Sequence, residues 1–426
     1  MSKTLILNAR IFTPGRPSFT GWLLTEDKKI ADFGENDVPE TLKQSADELI
    51  DAQGQYLLPG FIDIHTHGCL GCCTMDADPE KILKIASFHA AHGVTTYLPT
   101  TMTAGTEATL RAIRCASEFV GKRGDFAKIA GVHLEGPYFS AAKCGAQDTA
   151  NIRRADLKEC RQFLDAGVVK RISIAPEFPE NLEAGDFFHA AGVSVSAGHT
   201  NAVYADMVEA LNHGFRSVTH LFNGMSGFTH REPGVVGAAL TLEDYTVEII
   251  CDNIHSHPAA QNLAWRAKGP EKVALITDQI RPSGLADGRY HQADGSEFVV
   301  SHNGTELRLP SGVLAGSALT MERGLKNFTA NAGATLEETW RCSSLNAARL
   351  IGIDGETGSI ERGKLADLVL LDSEFNVKRT IIEGNTVYTG DPQLDIFLLP
   401  GQPVLLLPEF VSFYWMKATK SPVLTF

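Results

Sequence analysis

This chain lacks the marks of several protein classes. None of its 426 residues falls in a run approaching the roughly 18–20 apolar residues that span a bilayer, so no membrane helix and no membrane partner are expected. The opening Met-Ser-Lys-Thr-Leu-Ile-Leu has neither the apolar stretch nor the small-residue cleavage site of a secretory leader. Positive charge is in deficit: 38 Lys and Arg against 51 Asp and Glu leave a formal net charge of −13. That argues against nucleic-acid partners, which call for clustered cations, but leaves room for a few local cations around a small anion. Disulfide-framework spacing is missing as well. The eight cysteines (Cys69, Cys72, Cys73, Cys115, Cys144, Cys160, Cys251 and Cys342) follow no such pattern, and in a chain this long reduced thiols in a cytoplasmic protein are the simpler reading.

What is present is ordinary globular material, 43% hydrophobic and 21% charged, long enough for one large domain with a smaller attachment or for two domains. Residues 4–56 hold short strand-like runs (Leu5-Ile6-Leu7, Gly21-Trp22-Leu23-Leu24, Tyr56-Leu57-Leu58) separated by turn material. From residue 61 the pattern changes. Eight short apolar runs, 61–67, 94–100, 129–135, 171–177, 193–199, 217–223, 247–253 and 272–278, recur with helix-compatible stretches between them, clear at 79–91, 106–120, 155–166 and 204–212. Continuous apolar strands alternating with helices imply a parallel sheet covered on both faces, and eight such units fit a (β/α)8 TIM-like barrel.

The organising stretch is Pro59-Gly60-Phe61-Ile62-Asp63-Ile64-His65-Thr66-His67-Gly68. Residues two apart on a strand face the same side, so His65 and His67 project together, and neutral imidazole is the commonest protein metal ligand. Alone, an H-x-H pair could equally be two core histidines. The other runs decide between the two readings, because six of the seven carry one of these polar residues at or near the C-terminal end: Glu135, Glu177, His199, His220, Asp252 and Asp278. Core histidines would scatter along the strands. These residues collect at the C-terminal ends, where barrels of this type build their active sites, and a divalent-metal site is the expectation.

Past Asp278 comes a β insertion, with strand-like pieces at 297–300 and 306–309, then Leu314-Ala315-Gly316-Ser317 and two helix-like segments to about 352. Short strands return at 358–387 and are expected to rejoin the N-terminal ones in a small discontinuous β-sandwich domain formed by both chain ends. The expected division is 1–57 and 356–390 for that domain, 58–355 for the barrel, and 391–426 for an apolar, proline-broken tail that packs on a partner or is a reading-frame artefact.

With these residues in view the chain resembles the N-acetylglucosamine-6-phosphate deacetylases of the amidohydrolase superfamily. The likeness rests on 59–68, His133-Leu134-Glu135-Gly136-Pro137, Gly198-His199-Thr200-Asn201-Ala202, Thr219-His220-Leu221-Phe222-Asn223-Gly224-Met225, His230-Arg231-Glu232-Pro233-Gly234, Ile276-Thr277-Asp278 and 314–321, in order, and does not reach the tail. The resemblance implies metal ligands at Glu135, His199 and His220 and an acid/base at Asp278. Some members hold one ion and lack the H-x-H pair. Others retain it and can hold a second, so His65 and His67 imply a two-ion site bridged by Glu135. No lysine ends the third or fourth strand, so the carbamylated-lysine bridge of related hydantoinases is not expected. Zinc is the favoured ion, with Fe, Mn, Co or Ni as alternatives, one or two per subunit.

The same likeness places substrate contacts on Ala146, Asn223, Gly224, Arg231, His255 and the Leu314, Ala315 and Gly316 backbone, with Arg231 and His255 on a sugar phosphate and the arginine reaching a partner's site in a homodimer. The implied reaction hydrolyses the acetamide of N-acetylglucosamine 6-phosphate. Alternatives are the galacto epimer, another amidohydrolase acting on cyclic amides or as a deaminase, or a catalytically silent scaffold.

Bland readings stand beside these: Asp278 as a helix N-cap, Arg231 as a surface partner of Glu232, His257 in place of His255, and His89, His92, His213 and His230 as histidines at the surface or behind the ligands. Two stretches depart from the family, which usually has small residues where Cys69, Cys72 and Cys73 and Gln279-Ile280-Arg281 stand. The cysteines are read as packed thiols, with capture of a soft metal by Cys72 or Cys73 as the alternative.

Overall fold

The computed structural model describes residues 2–291 and 297–390. The tail expected at 391–426 lies outside the described residues. The barrel's eight strands are Phe61–Thr66, Val94–Pro99, Val132–Glu135, Val169–Ile174, Ser194–Ala197, Phe215–Val218, Thr246–Ile250 and Val273–Ile276. The third run is broken: a two-residue strand, Lys128–Ile129, pairs with the second strand before Val132–Glu135 begins. Gly131, at φ +154°, marks the break, and a Cβ there would meet the Val168 carbonyl oxygen at 2.9 Å.

The third to eighth strands form one parallel sheet in sequential order, and the first and second pair in parallel beside it. Backbone hydrogen bonds at the strand ends close the ring. Thr101 N donates to His133 O at 2.9 Å between the second and third strands, and Asp278 N donates to His65 O at 2.9 Å between the eighth and the first. The first and second strands are buried at every residue, as expected of strands covered on both faces.

The helices between strands follow the expected spacing. Pro79–Ala91 and Tyr204–Asn212 match it at both ends, whereas Thr106–Ser117 and Leu157–Ala166 are shorter than the apolar spacing suggested. Leu157–Ala166 starts late because Asp156 caps it, its carboxylate accepting from Lys158 N at 2.8 Å.

Both chain ends contribute to one eight-stranded sheet, in the order Asn385–Thr389, Val377–Ile382, Leu368–Leu371, Tyr56–Pro59, Lys3–Ile11, Phe19–Glu26, Lys29–Glu35, with Glu48–Asp51 also pairing with Lys3–Ile11. The insertion after the eighth barrel strand is a three-stranded antiparallel sheet, Gly288–His291, Glu297–Ser301 and Glu306–Arg308. No helix among the described residues is long and apolar enough to cross a membrane.

Candidate metal centre

The six residues of the centre come from the C-terminal ends of the strands or the first two residues beyond them. His65 lies on the first strand with His67 just beyond it, and Glu135 closes the third. His199 and His220 lie two residues past the fifth and sixth strands, and Asp278 two past the eighth. These last three hold positive φ, 44°, 29° and 51°. His and Asp tolerate that left-handed region better than most residues, and it turns the chain out of the strand direction just where the side chains must point inward.

The six side chains converge. Glu135 Oε1 is 3.1 Å from His199 Nε2, 3.0 Å from His220 Nε2 and 3.4 Å from His65 Nε2, while Oε2 is 3.3 Å from His67 Nε2. Asp278 Oδ1 sits 3.4 Å from His65 Nε2 and 3.3 Å from His67 Nε2. The groups divide into two sets, Glu135–His199–His220 and His65–His67–Asp278, with ligand atoms inside 4.8 Å of one another in each. Ligands at about 2.0–2.2 Å around a tetrahedral ion stand roughly 3.3–3.6 Å apart, close to the separations found here. His65 Nε2 is buried without a hydrogen bond, which is costly unless something else occupies it. The donor set therefore fits divalent ions, with Glu135 placed to serve both sets.

Partners behind the ligands fix their tautomers. His199 Nδ1 donates to Lys143 O at 2.9 Å and His220 Nδ1 to Asn223 O at 3.1 Å, so in both neutral rings Nε2 is the atom free to accept. Burial disfavours the imidazolium of His67, but hydrogen bonds to Asp278 and Glu135 outweigh it and hold the group up at about 9. Burial likewise opposes the charge of Glu135, yet the imidazoles of His65 and His199 keep its carboxyl well below the usual range.

The centre opens on a cavity of about 530 Å³, lined by Ala146, Asn223, Gly224, His255, Leu314, Ala315 and Gly316 as well as by His67, Glu135, His199, His220 and Asp278. A side chain on Gly224 would force His199 to shift: at φ +59° an added Cβ would lie 2.9 Å from His199 Nδ1. His255 faces the cavity with Nδ1 2.6 Å from Asp252 Oδ2, whereas His257 caps the following helix by accepting from Ala259 N at 3.1 Å. The exposed Arg231 is not brought to this cavity. The carboxylate of Glu232 holds its loop, accepting from Tyr204 N at 2.9 Å and Gly234 N at 3.0 Å, and Arg231 makes no ion pair with it.

Two other rim carboxylates brace loops rather than join the centre. Glu177 binds Thr200 Oγ1 at 2.5 Å and Asn201 N at 2.8 Å, and Asp252 holds the His255 turn. Cys69, Cys72 and Cys73 are buried, and none belongs to either ligand set. Burial raises the Cys69 and Cys72 thiols, which disfavours the thiolate a metal needs. His89 lies behind the metal strand, one of the two placements expected of it, rather than at the surface. It is buried against Tyr97 and held at about 3 by burial, with Nε2 3.3 Å from Thr66 Oγ1.

Sequence reasoning missed Gln147, whose Nε2 donates to Glu135 Oε2 at 2.5 Å, and the buried pair Arg171–Glu248, joined at 2.6 Å. Gln147 carries no local signal. Glu248 does, as the single charge of its apolar strand, and Arg171, beside Lys170, does so more weakly.

The Amidohydrolase family pattern matches residues 56–387. An N-acetylglucosamine-6-phosphate deacetylase of Bacillus subtilis (strain 168) is 35% identical over 389 residues, covering 90% of this chain and 97% of its own. An N-acetylgalactosamine-6-phosphate deacetylase of Escherichia coli O157:H7 is 34% identical over 366 residues, covering 85% and 95%. A mutant N-acetyl-D-glucosamine-6-phosphate deacetylase from Mycobacterium smegmatis, solved in complex with N-acetyl-D-glucosamine-6-phosphate, superposes with a TM-score of 0.84 at 31% identity, over 91% of this chain and 100% of that one. With its barrel and centre inside the matched span and relatives of this identity along most of its length, the chain belongs to the amidohydrolase family.

Proposed function

We propose that this enzyme hydrolyses the acetamide of N-acetylglucosamine 6-phosphate to glucosamine 6-phosphate and acetate. The observation that carries the reading is Glu135 set between two ligand groups at the floor of the cavity, with Asp278 opposite it, in a chain whose relatives carry that activity in their names. Glu135, His199 and His220 would hold one divalent ion, and His65, His67 and Asp278 would hold a second. Zinc suits the nitrogen and oxygen donors best, with Fe, Mn, Co or Ni as alternatives. When bound, such an ion makes a water acidic near neutral pH and polarises an acyl oxygen.

The chain's own residues do the rest. Asp278, which the charge of His65 keeps ionised against its burial, takes the proton of the attacking water and returns it to the departing sugar nitrogen. Asn223, Gly224, Ala146 and the Leu314–Gly316 backbone orient the sugar, and His255 faces its phosphate. Arg231, outside its own chain's cavity, serves the site of the second subunit in a homodimer. The cysteine usage supports a cytoplasmic reading, and the deficit of positive charge argues against a nucleic-acid partner. We read the eight-stranded sheet as a sandwich folded around the cluster that includes Ile6, Leu23, Leu57, Leu368 and Ile381. Its boundary with the barrel is better set at Gly60 than at 57/58, which cuts the strand Tyr56–Pro59.

A second reading, the galacto epimer, is favoured by the Escherichia coli O157:H7 relative. Acetate release by metal-quantified protein from the gluco phosphate, the galacto phosphate and the unphosphorylated sugar tests both. Turnover of the gluco phosphate supports the first reading and preference for the galacto phosphate the second. No release from any of them with metal bound rejects both.

A further inference from the structure

The interior of a barrel like this is ordinarily filled by layers of branched apolar side chains. Here a charged pair lies in it. Arg171 on the fourth strand and Glu248 on the seventh are both fully buried, with Arg171 Nη2 2.6 Å from Glu248 Oε1. Arg171 is itself seated by the fifth and sixth strands, donating from Nη1 to Ser194 Oγ at 2.9 Å and from Nη2 to Ser217 Oγ at 3.1 Å. A buried ion pair gains little stability over apolar residues of the same volume, so its position invites a different explanation.

The other oxygen of Glu248 supplies one. Oε2 lies 3.3 Å from His65 Nδ1. A carboxylate there fixes the proton on Nδ1 and leaves Nε2 as a lone pair, and Nε2 is the atom that faces Glu135 and Asp278. His133 packs edge-on against the same ring at 4.6 Å and is held by Ser173 Oγ at 2.9 Å, so the ring cannot swing away. Glu248 Oε2 also lies 3.3 Å from His220 N, but that contact is to backbone, and the His220 imidazole is oriented separately by Asn223 O.

We infer that Arg171 and Glu248 are positioning residues that prepare His65 as a ligand, and that they govern occupancy of the His65–His67–Asp278 place selectively, leaving the Glu135–His199–His220 place unaffected. This rests on the metal reading above.

The test is stepwise metal binding by chelated full-length protein, followed by calorimetry with zinc and by metal quantification after dialysis. Three proteins are compared: wild type, Glu248→Gln, and the double variant Arg171→Met/Glu248→Leu, which replaces both charges with apolar volume and so avoids stranding one of them in the core. The expected result is two equivalents in wild type. In both variants the weaker equivalent should lose about 10- to 100-fold in affinity, while the tighter one changes by less than about threefold and near-ultraviolet circular dichroism is retained. Two unaltered equivalents in the folded double variant would overturn the inference, as would equal weakening of both, which is what loosened packing alone predicts. A wild type that binds one ion and releases acetate overturns this inference and leaves the deacetylase reading standing. A wild type that binds none overturns both.

Discussion

Gln147 and Glu135 are joined across the cavity wall: Gln147 Nε2 donates to Glu135 Oε2 at 2.5 Å, while Gln147 Oε1 accepts from Thr103 N at 2.9 Å. The amide thereby ties the loop after the third strand to the loop after the second and fixes the rotation of the shared carboxylate. Gln147→Leu keeps the volume and removes both bonds. We expect metal affinity to fall by about tenfold or more, with kcat falling at saturating metal; unchanged affinity by chelator competition would show that Glu135 is positioned without it.

Asp278→Asn preserves shape and removes the base. A general base contributes about 10²–10⁴ in rate, so acetate release should fall by that order while the Glu135–His199–His220 equivalent stays bound. Metal analysis beside kinetics checks this. Loss of both equivalents would make Asp278 a structural ligand first, and an active variant would remove it from the chemistry.

Gly224→Ala addresses crowding. The added Cβ meets His199 Nδ1 at 2.9 Å, on a backbone at φ +59° that favours glycine. It should displace His199 from Lys143 O, lower metal content and cost about 1–3 kcal/mol of stability. Full metal content and an unshifted thermal midpoint would count against the close approach.

The pH dependence follows from His67. In the metal-free protein its folded value is about 9, above the 6.5 of an unperturbed imidazole. A raised value contributes stability that is fully present below pH 6.5 and is lost as pH rises through 9. Chelated protein should therefore melt lower at pH 9.5 than at pH 6.5. An ion needs the imidazole unprotonated, so its binding releases protons and strengthens over the same range. The gain in thermal midpoint on adding zinc should thus grow with pH. A gain that is flat or shrinks, measured by calorimetry in non-chelating buffers, would contradict this origin.

Much of this molecule is legible in the chain because the signals are local. Alternation of apolar strand and helix marks the barrel, and polar residues at the strand ends mark its rim, since period-two geometry and strand direction fix where those side chains emerge. His65, His67, Glu135, His199, His220 and Asp278 were all readable this way. Helix ends were less so, because a cap such as Asp156 competes with apolar spacing.

What only the tertiary structure decided depends on residues far apart in sequence. Glu177 and Asp252 carry the same rim signal as Glu135, yet they brace loops, because strand tilt and loop path determine which rim groups meet. Gln147 reaches Glu135 through the fold of a loop with no pattern of its own. Arg171 and Glu248 stand 77 positions apart in the chain (248 − 171) and meet only because the closed barrel brings the fourth and seventh strands face to face. The sequence by itself determined which residues can do chemistry and at which end of the strands; closure of the sheet, a long-range event, determined which of them share an ion-sized space.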